Sequence, residues 1–324
     1  MNKEIKNYGR SVKTKLLSLS KDAEIPYMTI LVRYFQERLL YRLANSKYKD
    51  NFLLKGGALL YAYGQEKARP TKDIDFLGRH INNDREYVKA VFSEIASVNC
   101  ETDGAVFDAD SIEVMDITQE KEYHGVRLTI LAMMESIRQT ISMDIGFGDV
   151  VTPGPKHLEY PLLLESVPEV EILAYSLETV VAEKFEAMIS LSINNSRMKD
   201  FYDVYRILKE GNLDGEVLKE AVKNTFENRG TGYVERHPLF GEEFFKDPIR
   251  TSRWNGFLKS IRTKEHIAFE EVGKVIQENM KEYWKALNEL NYKISEETTG
   301  QETTKKQRDR FLFHEIKCDE GLPR

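Results

Sequence analysis

The chain has little cysteine: Cys100 and Cys318 stand far apart among 324 residues, and neither has a partner at zinc-ligand spacing. That excludes a disulfide scaffold and a cysteine zinc site, and makes a reducing cytoplasm the expected compartment. Six histidines form no HExxH and no close pair, so a zincin-type centre is excluded too. No GxxxxGK[ST] occurs, which removes the P-loop ATPases and kinases. Long apolar runs are missing, since charge breaks each within a few residues, and no membrane partner is expected. The opening residues, Met1-Asn2-Lys3-Glu4-Ile5-Lys6, lack a signal core. What remains, 41% hydrophobic and 31% charged, suits two globular domains or one with helical extensions.

Charge of one sign is short overall and uneven locally. A net charge of −6 argues against a protein that coats nucleic acid. Yet residues 1–50 carry 11 Lys/Arg against 5 Asp/Glu, an excess of +6 that leaves −12 for the rest. A second basic stretch holds Lys246, Arg250, Arg253, Lys259, Arg262 and Lys264 against Asp247, with Trp254 and Phe257 inside it. Basic residues interleaved with aromatics suit a phosphate backbone and a stacked base. A solvated helix face with a buried Trp fits that stretch equally well.

Periodicity sets the expected elements. Apolar residues recur at three- and four-residue intervals over 10–45, with Pro26 near a helix start. Residues 52–60 read as a buried strand followed by a glycine turn, 73–77 as a strand, and 83–98 as a helix. Segments 112–118, 125–133 and 140–147 alternate as antiparallel strands. Pro153, Pro155, Pro161 and Pro168 mark a loop-rich crossing to helices at 176–193 and 200–209. Most of the remainder to about 290 is helical, and Ser295–Arg310, almost free of apolar residues, reads as a polar, mobile tail.

Asp73-Ile74-Asp75 carries the chemistry. On a strand the two carboxylates project to one face while Ile74 and Phe76 anchor the other. Such a pair repels unless a cation sits between its members, and a hard divalent ion is the usual solution. Gly56-Gly57 stands seventeen residues before Asp73, behind the apolar Phe52-Leu53-Leu54. Strand alternation places Asp144 on the polar face of 140–147, which favours it over Asp149 as a third carboxylate. Lys184 lies within a helical stripe of Val180, Val181, Ala187 and Met188. It either snorkels to the edge, the commoner fate of a lysine, or neutralises buried negative charge. Glu183 beside it orients it or serves as a helix-surface acid. Asp200 and Asp203 stack one turn apart, and Asp200 alone would make an ordinary helix N-cap.

Five short segments, in this order, resemble the AbiEii-type nucleotidyltransferase toxins, including the MenT group. They are Lys55-Gly56-Gly57-Ala58-Leu59, Arg69-Pro70-Thr71-Lys72-Asp73-Ile74-Asp75-Phe76, Ser142-Met143-Asp144-Ile145-Gly146-Phe147-Gly148-Asp149, Ala182-Glu183-Lys184-Phe185 and Arg197-Met198-Lys199-Asp200-Phe201-Tyr202-Asp203. The resemblance implies an α+β fold: a DNA-polymerase-β-like palm, with a mixed sheet and flanking helices, plus a mainly helical C-terminal domain. It implies transfer of nucleotides from a nucleoside triphosphate to an acceptor such as the 3′ end of tRNA, blocking translation in phage defence. It also implies a cognate antitoxin, a winged-helix AbiEi-like protein. The glycine-to-aspartate gap exceeds that of the minimal transferase motif, and Gly57 stands where a serine is often found, leaving only backbone N–H groups in the phosphate turn.

On that footing the expected boundaries are 1–50 for a basic helical segment, 51–160 for the palm, 161–292 for a helical domain completing the site, and 293–324 for the tail. Asp73, Asp75 and Asp144 would hold two Mg²⁺. Gly56 and Gly57, opening a helix, would cradle the triphosphate. Lys184 would offset charge on the reacting phosphate, and Asp200 belongs to the same site. Arg69 either reaches a phosphate or pairs with an acidic neighbour. The Thr71 hydroxyl would face the metals and is a plausible target of modification. Two rivals remain: a small-molecule nucleotidyltransferase of the antibiotic-adenylyltransferase kind, and a non-catalytic nucleotide- or partner-binding module.

Overall fold

The structure is a computed structural model that describes residues 7–64, 68–117, 125–210 and 212–288. At its centre lie β1 (Phe52–Lys55) and β2 (Asp73–Gly78), antiparallel neighbours. β3 (Val106–Ile117), β4 (Gly125–Met134) and β5 (Ile137–Phe147) form an antiparallel meander whose last strand runs parallel to β2. On the other side β1 pairs in parallel with β7 (Val170–Ala174), which carries β6 (Lys156–Tyr160) at the far edge. The mixed seven-stranded sheet has the order β3-β4-β5-β2-β1-β7-β6.

Sequence explains which side of β2 is which. Ile74 and Phe76 are buried, and Phe76 meets Phe52 of β1 and Phe92 of α4 (Arg85–Ala96) at ring distances of 5.9 and 6.5 Å. Each such side chain contributes roughly 1.5–3 kcal/mol on leaving water. The helix-covered side is therefore fixed by apolar residues, and Asp73 and Asp75 project from the opposite side. β4 alternates buried and half-buried residues along its whole length, as a strand covered on one face does.

The helix expected over 10–45 is two helices, α1 (Tyr8–Asp22) and α2 (Tyr27–Ala44). Pro26 caps the second, because a proline inside one continuous helix would leave a carbonyl without its donor. Two of the cations of this segment are internal. Arg38 and Arg42 are buried in pairs with Glu37 and Asp103, at 2.7 and 2.8 Å. α3 (Gly56–Gly64) begins directly after β1, opened by the glycine turn.

The boundary expected at residue 160 falls inside the sheet, since β7 lies beyond it and pairs with β1. β6, between Pro155 and Pro161, and β7, just after Pro168, are five residues each, which hid them in an apparent loop. The helical part follows as α5 (Leu177–Leu191), α6 (Met198–Glu210), α7 (Gly215–Asn228), α8 (Glu243–Lys246), α9 (Pro248–Ser260) and α10, from 269 to the end of the described residues at 288. Trp254 is fully buried, donates to the Ile267 carbonyl at 2.7 Å and packs on Phe269 and Tyr202. It is a core residue and offers no surface for a stacked base. The tail at 293–324 lies outside the described residues.

Candidate active site

Gly56 and Gly57 are required by what stands behind them. Gly56 has φ of +65°, a region that glycine enters without strain, and a Cβ there would collide with the Asp75 carboxylate. A Cβ on Gly57 would lie 2.7 Å from Thr71 Cβ and 2.8 Å from its Oγ1. The Thr71 hydroxyl donates to the Asp73 carbonyl at 3.1 Å. β2 and its preceding loop thus press directly on the first turn of α3, whose N-terminal N–H groups open beside Asp75.

Asp144 is the register partner of Asp75 across the parallel β2–β5 pair, so both project to the same side, with Asp73 two residues along. Asp149, the alternative third carboxylate, lies beyond β5 and is bound by Lys55 and Arg229, each at 2.9 Å. Burial would raise its carboxyl, but these two cations prevail and hold it near 2. Asp144 has a partner too: Arg127, its register partner on β4, takes both its oxygens at 2.7 Å. The three aspartates share a face without closing into a cage. Among the described residues no three His, Cys, Asp or Glu side chains form a ready metal centre.

Asp73 and Asp75 differ from Asp144 and Asp149: among the described residues neither carboxylate has a hydrogen-bond or ion-pair partner. Burial raises the pKa of Asp75 and Asp144 adds to the rise, while Lys55, Lys199 and Lys184 oppose it from a distance. An unpaired carboxylate beside two others, all hard oxygen donors, suits a hard divalent cation in donor chemistry.

Lys184 does not snorkel. Its Nζ lies 2.7 Å from Asp200 Oδ1 and 2.9 Å from Asp203 Oδ2. Arg197 holds the other Asp200 oxygen at 2.7 Å, and Arg69 forks onto Asp203 through Nε and Nη2 at 2.9 and 3.0 Å. Both aspartates are buried. Asp200 is an inward-facing member of α6 rather than a cap. Burial would lower the lysine's pKa, but the two aspartates outweigh it and raise it. Arg69 thus has an acidic neighbour as its partner, Asp203. The network ties the loop before β2 to α5 and α6.

A second network escaped the sequence reading. Lys55, beside Asp75 in the β1–β2 register, reaches Asp149, Glu183 and the Tyr175 hydroxyl. Arg229 joins it through Asp149, Glu183 and Glu186. Glu183 therefore turns away from Lys184 and belongs to Lys55. Burial raises the Glu183 carboxyl against the pull of Lys55. These partners lie from 43 to 128 residues apart, and no local pattern announces such pairs. Arg127 had a fainter signal, since the alternation of β4 puts it on the polar face.

Residues 38–275 match the family of nucleotidyl transferase AbiEii toxins of type IV toxin–antitoxin systems. The chain belongs to that family and is a nucleotidyltransferase, with a mixed seven-stranded sheet and a helical C-terminal part. Two solved structures are similar in fold. One, described as a presumed nucleotidyltransferase of H. pylori, has 14% identity and a TM-score of 0.45, covering 82% of this chain and 99% of its own. The other, JHP933 of Helicobacter pylori, has 15% identity and a TM-score of 0.43, covering 81% and 96%. Both likenesses are loose, and the family assignment rests on the family match. No curated protein matches the chain. Among the described residues no helix is long and apolar enough to cross a membrane.

Proposed function

We propose that the protein is a cytoplasmic, Mg²⁺-dependent toxin that transfers nucleotides from a nucleoside triphosphate to an RNA acceptor, the 3′ end of tRNA foremost. The observation that carries this reading is the unpaired Asp75 carboxylate, seated against Gly56 at the opening of α3 and level with Asp144. Asp73, Asp75 and Asp144 are the residues that would hold two divalent ions. When bound, Mg²⁺ would lower the pKa of the acceptor hydroxyl and offset charge on the pyrophosphate.

The chain's own residues do the rest. The N–H groups of Gly56 and Gly57, at the positive end of α3, hold the triphosphate. Lys184 uses two of its three N–H donors on Asp200 and Asp203, leaving one for a phosphate oxygen. Asp200 and Asp203 position that lysine. The sheet through β7 forms the palm, and the helices from α5 onward complete the site. Exposed Arg253, Lys259 and Lys264 bind the RNA backbone, and a winged-helix antitoxin restrains the enzyme.

The test is incorporation of labelled nucleoside triphosphate into total tRNA with Mg²⁺. Asp73→Asn and Asp75→Asn should abolish it while leaving the fold intact. Labelling of a small molecule, with none in RNA, would move the protein to the antibiotic-adenylyltransferase class. Retained transfer by Asp75→Asn would remove the proposed site.

A further inference from the structure

Arg127 is a cation on the aspartate face that the proposed reaction does not use. It stands on β4 opposite Asp144, and its Nε and Nη2 take Oδ1 and Oδ2 of that residue at 2.7 Å each. Asp73 and Asp75 also lie within its electrostatic reach. Among the described residues Asp144 is its sole ion-pair partner. One positive charge thus stands among the three carboxylates proposed to hold metal.

The pair differs from the other ion pairs of the site in one respect. Lys184–Asp200, Lys184–Asp203 and Lys55–Asp149 are nearly closed to solvent, whereas the side chains of Arg127 and Asp144 are 43% and 25% exposed. A solvent-exposed ion pair breaks at little cost, because water takes up both charges. A buried one does not. Arg127 can therefore leave Asp144 into solvent with no repacking.

Resting on the metal site proposed above, we infer that Arg127 is an exchangeable counter-ion. It holds Asp144 aligned while metal is absent, and a divalent ion loads by displacing it. Both oxygens of Asp144 are occupied by the guanidinium, and its charge repels a second cation from Asp73 and Asp75. Once displaced, the guanidinium stays beside the site at the end of its exposed side chain, within range of an incoming phosphate.

The sign of one measurement decides this. Mn²⁺ is titrated into nucleotide-free wild-type, Arg127→Gln and Arg127→Lys proteins, followed by electron paramagnetic resonance and calorimetry. Competition predicts that Arg127→Gln binds Mn²⁺ about tenfold more tightly, the order expected for removing one nearby charge in a wet site. Arg127→Lys should stay near wild type, and the gap should narrow as salt rises. Thermal melts in chelator should be little changed. A purely structural role, in which Arg127 keeps Asp144 in place for the metal, predicts weaker binding in Arg127→Gln. Weaker or unchanged affinity overturns the inference. Asp75→Asn separates the two levels: if Mn²⁺ binds equally well to that variant, or to no variant, the metal site itself fails. Loss in Asp75→Asn without gain in Arg127→Gln overturns the exchange alone.

Discussion

Asp75 occupies the space that a side chain on Gly56 would need. The glycine turn and the carboxylate are therefore one piece of structure, although seventeen or more residues separate them in the chain. Gly56→Ala should push Asp75 off its position and strain a φ of +65°, costing about 1–2 kcal/mol in backbone strain alone. Nucleotide transfer should fall far more than thermal stability does. Equal losses in a melt and in a transfer assay would show that the turn serves folding only.

Gly57→Ser restores the residue often found in such turns, yet it should harm this protein. Its Cβ would meet Thr71 Cβ at 2.7 Å, closer than side chains approach. Combining it with Thr71→Gly should recover stability. A Gly57→Ser protein that melts like wild type would remove this packing account.

Lys184→Met should destabilise the protein, although methionine suits the apolar stripe of Val180, Val181, Ala187 and Met188. The change leaves Asp200 and Asp203 buried with only Arg197 and Arg69 to meet them. Breaking a buried pair on one side costs about 3–5 kcal/mol, so denaturant unfolding should show a loss of that order. Adding Asp200→Asn should return part of the stability but no activity. Restored transfer in the double variant would place Lys184 outside the chemistry.

Acid stability should depend on Asp149. Its folded pKa of about 2 lies below the ordinary carboxyl value, so its stabilising effect is full above pH about 4 and lost as pH falls through 2. A shift of this size corresponds to about 2 kcal/mol. Asp149→Asn should therefore lower unfolding free energy by about that amount at neutral pH and by almost nothing at pH 2. A pH-independent deficit would exclude the ion pairs as its cause.

Trp254 and the basic residues around it should separate cleanly. Trp254→Ala should cost about 3–5 kcal/mol by leaving a cavity. Replacing Arg253, Lys259 and Lys264 with Gln should leave the melt unchanged, weaken RNA binding, and reduce its salt slope by about one per lost phosphate contact. RNA affinity unchanged in the triple variant would put the acceptor elsewhere.

Much of the site was readable because it obeys short periods. Asp73, Asp75 and Asp144 follow strand alternation, and Asp200 and Asp203 follow the helical turn. What escaped has no local period. Lys55 reads as the polar end of a buried strand, and nothing near it names Glu183 or Asp149 as partners. The snorkel favoured for Lys184 weighed how rarely lysine is buried, and could not weigh two aspartates facing it from the next helix. The charge count over residues 1–50 includes Arg38 and Arg42, whose partners are interior, and of the two readings left open for residues 246–264 the buried Trp254 is the one found.

The network of Arg69, Lys184, Asp200 and Asp203 has an evolutionary consequence. Two buried anions and the cations that neutralise them cannot drift one at a time, because each single loss strands a charge. In related chains these four positions should vary together, and a relative lacking the lysine should lack an aspartate at the position of Asp200 or Asp203 as well.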